Sequence, residues 1–146
     1  MHEIIRAYAP QDTDALVKIW ERANALAHTF LAPAFVAQVK RDMREIYLPN
    51  AETWVLLDHG SPVGFVAMIG AEIGGLFLNP AFHGRGIGKV MTNHVAAPHG
   101  PLRVEAFVEN EIGRRFYERY EFVRTADYLH EPSGRMTAKM AMSGAA

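Results

Sequence analysis

The segment His83, Gly84, Arg85, Gly86, Ile87, Gly88, Lys89 constrains this chain more than any other. It follows an apolar run, Gly75 to Leu78, and a break at Asn79 and Pro80. It opens an amphipathic stretch, Ile87 to Val95. The order is strand, glycine-rich turn, helix. Glycine lacks Cβ, so the backbone there can take unusual angles and come close to a ligand. The free N–H groups at the start of the next helix point outward, with the positive end of the helix dipole behind them. Arg85 and Lys89 add positive charge. Gly84, Gly86 and Gly88 therefore form either a phosphate-binding turn or a plain tight connection.

Spacing separates the known phosphate loops. A P-loop needs four residues between its first glycine and Gly-Lys-Ser/Thr. Here Val90 follows Gly88 and Lys89, so no hydroxyl is offered to magnesium. A dinucleotide fingerprint needs G-x-G-x-x-G, with an acid about twenty residues further on. This chain reads Gly84-x-Gly86-x-Gly88 instead. The run His83-x-x-Gly86-x-Gly88 resembles the acyl-coenzyme A pyrophosphate loop of the GNAT acetyltransferase superfamily. That pattern is Arg/Gln-x-x-Gly-x-Gly/Ala, and histidine takes its first place here.

Composition narrows the classes. The 146 residues suit one α/β domain, 1–146, with a proper core. Hydrophobic residues make up 49%, enough for a packed core rather than a disordered chain. The net charge is −1 and no basic block stands out, so non-specific nucleic-acid binding has little electrostatic basis. The absence of cysteine excludes disulfides, thiolate zinc sites and a cysteine nucleophile, and fits a reducing compartment. The first residues show no signal-peptide pattern, and no apolar run approaches about 18 residues. The expectation is a soluble, cytoplasmic protein with no membrane partner.

Periodicity predicts the elements. Ile4 to Ala9 reads as a strand ended by Pro10. From Asp12, residues Leu16, Ile19, Trp20, Ala23, Leu26 and Ala27 recur at helical spacing. A break at His28 to Leu31 comes next, and Pro33 suits the first turn of a second helix. Val36, Val39, Met43, Ile46 and Tyr47 give that helix its apolar face, and Pro49 with Asn50 stops it. Strands are predicted over Thr53 to Leu57, Val63 to Ile69 and Ile73 to Leu78. The helix after the glycine turn ends by Pro98 to Pro101. A strand covers Leu102 to Val108 and a helix about Asn110 to Tyr120. Phe122 to Tyr128 and Thr137 to Met142 close the chain as a strand pair. The order βααβββαβαββ predicts a mixed central sheet flanked by helices. His94 and His99, separated by Pro98, share no helix face, no acid cluster has ligand spacing, and no metal is assigned.

A second segment joins the first. Asn110, Gly113, Phe116, Tyr117 and Phe122 fall on the GNAT pattern Asn-x-x-Ala-x-x-Phe/Leu-Tyr-x-x-x-Gly-Phe. Gly113 replaces the alanine, and Glu121 replaces the glycine that best suits a left-handed helix cap. The two motifs lie in the family's order, and the layout of nearly the whole chain is similar to it. Trp20, His28, Phe30 and Leu31 also resemble a bacterial subgroup of small N-acetyltransferases. Helical geometry adds that Ile112, Phe116 and Tyr120 share one face, expected to meet the core. Tyr117 lies beside Gly113 on another line, next to an open groove. Asn110 suits either an N-cap or cofactor contact.

The resemblance implies acetyl transfer from acetyl-coenzyme A, the acetyl donor co-substrate, to an amine by direct attack. It assigns the pantetheine arm to the strand Leu76, Phe77, Leu78. It assigns the pyrophosphate to the loop, with Arg85, Gly86, Ile87, Gly88 and Lys89 in contact and His83 and Gly84 at its start. Asn110, Gly113, Phe116 and Tyr117 complete the cofactor site. Tyr117 is the candidate general acid, since a phenol of pKa near 10 is protonated at neutral pH. The base is open between Glu72, just ahead of the cofactor strand, and Glu105, an acid in an apolar strand where burial would suit it to take up a proton. Glu105 could instead face solvent or Arg103, and a water chain could replace both. His28, Phe30 and Tyr128 are candidates for the acceptor site, a small amine or a peptide end fitting equally. Two alternatives stay open: a non-catalytic acyl-coenzyme A-binding or regulatory module of the same fold, and an enzyme acting on charged transfer RNA, for which a basic face is expected. The end strands could pair between chains in a homodimer.

Overall fold

The computed structural model describes residues 3–145; residues 1, 2 and 146, at the ends of the expected domain, lie outside the described residues. Seven strands form one sheet: β1 (Glu3–Ala7), β2 (Glu52–Asp58), β3 (Ser61–Ile69), β4 (Glu72–Leu78), β5 (Arg103–Phe107), β6 (Val123–His130) and β7 (Arg135–Ala141). Their order across the sheet is β1-β2-β3-β4-β5-β7-β6. Neighbours are antiparallel except β4 and β5. The helices are α1 (Thr13–Ala27), α2 (Pro33–Asp42), a single turn α3 (Leu48–Asn50), α4 (Ile87–His99) and α5 (Glu111–Arg119). This is the expected α/β order with one added helical turn. Among the described residues no helix is long and apolar enough to cross a membrane.

The sheet separates two cores because strand side chains alternate between faces. Val55 and Phe65 pack with Leu16, Val17, Ile19 and Trp20 of α1 on one side. Their chain neighbours Leu56 and Val66 pack with Ile87, Met91 and Val95 of α4 on the other. Each such fully buried side chain contributes about 1.5–3 kcal/mol of hydrophobic stabilisation. Arg6 ties β1 to the start of α1 through a bidentate pair with the buried Asp12, at 2.7 and 2.9 Å.

One helix departs from expectation. Between α2 and α3 the residues Met43–Tyr47 form a π-turn, closed by Leu48 N–H on Met43 O. A π-turn inserts one extra residue per turn and so rotates the next residues about the helix axis. Ile46 and Tyr47 are thereby half exposed, at 49% and 45%, and Leu48 takes the core position. The helical run ends at Asn50, as expected, with Pro49 inside its last turn. Helix α4 runs through Pro98 and ends at His99, within the expected stop from Pro98 to Pro101. Both His94 and His99 therefore lie on it: His94 packs edge-on against Trp54, and His99 reaches Glu52 at 3.2 Å. Leu26, read as part of the apolar stripe of α1, is 50% exposed.

The feature that makes room for a site is the partial pairing of β4 with β5. These strands pair only at Glu72 with Arg103 and Ile73 with Val104. Beyond those pairs they diverge. The β3–β4 register shifts where Ala67 faces Gly75 and Met68 faces Ile73, which leaves Gly74 as a bulge. Bulges bend a strand and end pairing locally. One edge of Gly74 to Leu78 thus faces a gap in the sheet instead of a neighbouring strand.

Candidate active site

Two cavities open on this gap. The larger, about 450 Å3, runs between the β4 edge, the glycine turn and α5. Leu76, Phe77, Leu78, His83, Gly84, Gly86, Ile87, Gly88, Lys89, Asn110, Gly113, Phe116 and Tyr117 all line it. The smaller, about 310 Å3, lies on the β5 side and includes Glu105, Phe107, Tyr128, His130 and Thr137. His28, Leu76, Phe77, Asn110, Gly113 and Tyr117 line both.

The glycine turn is shaped for backbone donors. Gly84 and Gly86 have φ of 78° and 76°, a conformation that side chains disfavour, and open space lies where a Cβ would stand. Gly86 is the N-cap of α4, so the first N–H groups of that helix have no intrahelical partner, and Gly86, Ile87, Gly88 and Lys89 line the larger cavity. Arg85 behaves otherwise than expected. Its guanidinium lies over the Phe82 ring, 4.9 Å from the centroid, and the residue lines neither cavity. His83 and Lys89 remain as basic groups at this end, both exposed.

On α5 Phe116 and Tyr120 pack against the core as expected, and Ile112 does not. Ile112 is 44% exposed and lines the larger cavity with Phe116 and Arg119, residues spaced i, i+4, i+7. Tyr117 is the buried residue of the helix, 7% exposed, packed edge-on against Phe116 and Phe122. Burial pushes its phenol well above the ordinary range, so the group stays protonated. Asn110 caps the helix, its Oδ1 accepting from Gly113 N–H at 2.9 Å.

The other expected residues distribute unevenly. Glu105 is exposed, not buried, because Val104 and Ala106 take the inner face of β5. It accepts a short hydrogen bond from Tyr128 Oη, and that bond pushes the Tyr128 phenol up to about 12. Glu72 pairs with Arg103 at 3.9 Å and lines neither cavity. His28 sits between the cavities, its ring edge-on to Phe30 and Phe107. Burial lowers its pKa from the ordinary 6.5 to about 4. Phe30, expected at the acceptor site, lines neither cavity; it packs edge-on behind His28 and Phe107, and Arg135 donates to Phe30 O at 2.7 Å and pairs with Glu109 at 3.2 Å. The sequence reading missed Arg119, Phe107, His130 and Thr137. Arg119 was visible as the next member of the Ile112 and Phe116 stripe; the rest converge only through the strand order β5-β7-β6. Among the described residues no group of three or more His, Asp or Glu side chains is placed to hold a metal ion.

Known proteins share this arrangement. The family described as acetyltransferase (GNAT) domain matches residues 49–124. A peptidyl-lysine N-acetyltransferase, YjaB of Salmonella typhimurium, is 30% identical over 81% of this chain and 81% of its own length. The solution structure of apo-form YjaB from Escherichia coli superposes with a TM-score of 0.89 at 27% identity, covering 99% of this chain and 100% of that one. The PaiA N-acetyltransferase of Thermoplasma acidophilum, solved in complex with coenzyme A, shares the fold at a TM-score of 0.81 and 15% identity, over 95% of this chain and 98% of that one. A split sheet, a glycine turn opening a helix and a family match across both agree: this chain belongs to the GNAT acetyltransferase family, the acetyl-coenzyme A-dependent N-acetyltransferases.

Proposed function

We propose that this enzyme acetylates the side-chain amine of lysine in a peptide or protein, with the donor in the larger cavity and the amine entering by the smaller one. The observation that carries this reading is the shared wall. His28, Leu76, Phe77, Asn110, Gly113 and Tyr117 border both spaces, so a reactant in each would meet the other at this wall. The peptidyl-lysine activity named for the YjaB relatives supports the choice of amine.

The larger cavity fits an acyl-coenzyme A. Its glycine turn leaves space at Gly84 and Gly86 for an anion against the start of α4, and its walls are mostly apolar. His83, Gly84, Gly86, Ile87, Gly88 and Lys89 would hold the pyrophosphate. The unpaired β4 edge from Leu76 to Leu78 would hold the pantetheine arm, with Asn110, Gly113 and Phe116 opposite. Acetyl-coenzyme A bound there supplies an activated thioester.

The side chains then divide the work. Unpaired N–H groups along β4 can donate to a carbonyl oxygen as negative charge develops on it. Glu105 attracts the lysine ammonium and takes its proton, and its exposure lets that proton pass to water. The Tyr128 hydroxyl holds the Glu105 carboxylate in place. Tyr117 keeps a proton at Oη for the departing sulfur. Burial favours the neutral phenol, and the same burial disfavours a thiolate, so donor and recipient shift in the same direction. The chain contains no cysteine to carry the acetyl group, which supports direct attack.

Calorimetric titration with acetyl-coenzyme A tests the donor half, with Gly86→Glu as control. Micromolar binding lost in the variant is expected; no binding to the wild type would sink the reading. Lysine peptides and small amines are then compared by mass spectrometry. Tyr117→Phe should lower kcat about 10²- to 10³-fold with the acetyl-coenzyme A dissociation constant held. Acetylation of small amines alone would overturn the choice of acceptor.

A further inference from the structure

The residue between the two cavities is tied into an unusual chain of side chains. His28 Nδ1 lies 2.7 Å from Asn24 Oδ1. His28 Nε2 lies 3.1 Å from Asn110 Nδ2. Asn110 Oδ1 accepts from Gly113 N–H at 2.9 Å. These contacts have one consistent assignment. The Asn110 oxygen is used by the helix, so its nitrogen faces His28. An amide nitrogen only donates, so Nε2 accepts and the ring hydrogen sits on Nδ1, donated to the buried Asn24. His28 is thus a neutral imidazole with both nitrogens engaged, and is not free to act as a base.

Gly113 belongs to the same design. A Cβ at this position would stand 2.5 Å from Asn110 Nδ2 and 3.1 Å from Asn110 Cγ. Any side chain there would push the amide away from the place where it meets His28. The glycine at the position where the family pattern has alanine is accounted for by this contact.

We propose that His28 is a positioning residue for acetyl transfer: by fixing the Asn110 amide it sets the first turn of α5, and through that turn the place of Tyr117 between the cavities. The proposal rests on the reading that Tyr117 protonates the leaving sulfur. Helix α5 has nine residues and is too short to hold itself in place without packing and caps. His28 directly follows α1, whose Leu16 and Trp20 are buried in the core. The imidazole therefore couples a firmly anchored helix to a short one that carries the proton donor.

Three variants separate positioning from general structure. His28→Asn keeps an amide near the Nδ1 position but cannot reach Asn110. His28→Gln extends far enough to offer Oε1 to the Asn110 amide. Gly113→Ala displaces that amide from the other side. With a lysine peptide as acceptor, H28N should lower kcat about tenfold with KM for acetyl-coenzyme A changed less than about twofold, H28Q should recover most of the loss, and G113A should match H28N in kcat alone, since Gly113 also lines the donor cavity. The double variant H28N/G113A should be no worse than the worse single one, because both break one contact. An unchanged kcat in H28N, equal losses in H28N and H28Q, or losses that multiply in the double variant would overturn the proposal. Long-range proton–nitrogen spectra give a readout independent of activity: His28 should be the Nδ1–H tautomer in wild type and a mixture of tautomers in G113A. An Nε2–H tautomer in wild type would overturn it. Should the wild type transfer nothing, the functional reading falls while the spectra alone uphold or overturn the His28 bridge.

Discussion

Gly88 and Phe116 touch across the wall of the larger cavity: a Cβ at Gly88 would meet Phe116 Cε1 at 3.0 Å and Cζ at 3.3 Å. The missing side chain at the start of α4 is what lets α5 lie against it. Gly88→Ala should therefore push Phe116 outward, costing about 1 kcal/mol of stability and weakening acetyl-coenzyme A binding severalfold. Phe116→Leu gives back the space. In a double-mutant cycle the two changes should be strongly non-additive, with G88A/F116L closer to wild type than G88A. Thermal melts and calorimetry read both quantities, and additive losses would show that the contact does not set the helix spacing.

His83 stands at the first position of the loop pattern and lines the larger cavity while exposed to solvent. An arginine there brings a permanent charge and a planar fork that matches phosphate oxygens. His83→Arg should lower the dissociation constant for acetyl-coenzyme A about three- to tenfold, and the gain should shrink as salt rises. Titration at low and high salt checks both halves; an unchanged or weaker constant would place His83 away from the phosphates.

The loop and the strands were readable because their signals are local. Glycine spacing at Gly84, Gly86 and Gly88 needs no tertiary knowledge, and the alternation of Val55, Leu56, Phe65 and Val66 comes from the strand period. The failures share a physical cause. A helical period tells which residues share a stripe but not how deep each end of it lies, so Ile112 was expected in the core and is 44% exposed, while Phe116 and Tyr120 pack there and Tyr117 lies beside the groove at Gly113. The π-turn at Met43–Tyr47 adds a residue that no apolar pattern announces, which exposed Ile46 and buried Leu48. Residue type alone leaves Glu105 open between burial and solvent, and the strand period decides it: Val104 and Ala106, one residue away on either side, face the core, so Glu105 faces out. The acceptor-side residues Phe107, Tyr128, His130 and Thr137 come together through β5-β7-β6, a pairing of distant segments that no local pattern encodes.

The half-buried His28 makes stability depend on mildly acidic pH. The folded state holds the imidazole neutral down to about pH 4, whereas the unfolded chain takes up the proton near 6.5. The contribution is therefore complete above pH 6.5 and is lost as pH falls from there to about 4, amounting to roughly 3 kcal/mol. Asp12 acts in a lower window. Arg6 holds its carboxyl below the ordinary 3.8, so its contribution is present above that value and lost further into acid. Denaturant unfolding across this range should show two separate declines. His28→Gln should flatten the first and leave the second, and a slope unchanged in H28Q would assign the decline to another group.

Glu121 ends α5 in a conformation that suits it poorly. Its φ is 79°, in the left-handed region. Phe122 N–H donates to Tyr117 O at 2.9 Å and Glu121 N–H to Glu118 O at 3.0 Å, the paired bonds of a Schellman end. The Phe122 ring packs on Tyr117 at 5.3 Å and completes the motif. A residue with a Cβ loses about 1 kcal/mol in this region relative to glycine, and part of the gain on replacement returns as entropy of the unfolded chain. Glu121→Gly should therefore stabilise the protein by about 0.5–1 kcal/mol. The gain should appear in the melting temperature and the denaturant midpoint, with kcat unchanged, because the same two backbone bonds already hold Tyr117 at the helix end. A drop in melting temperature would mean that the Glu121 side chain contributes an interaction outweighing the backbone strain.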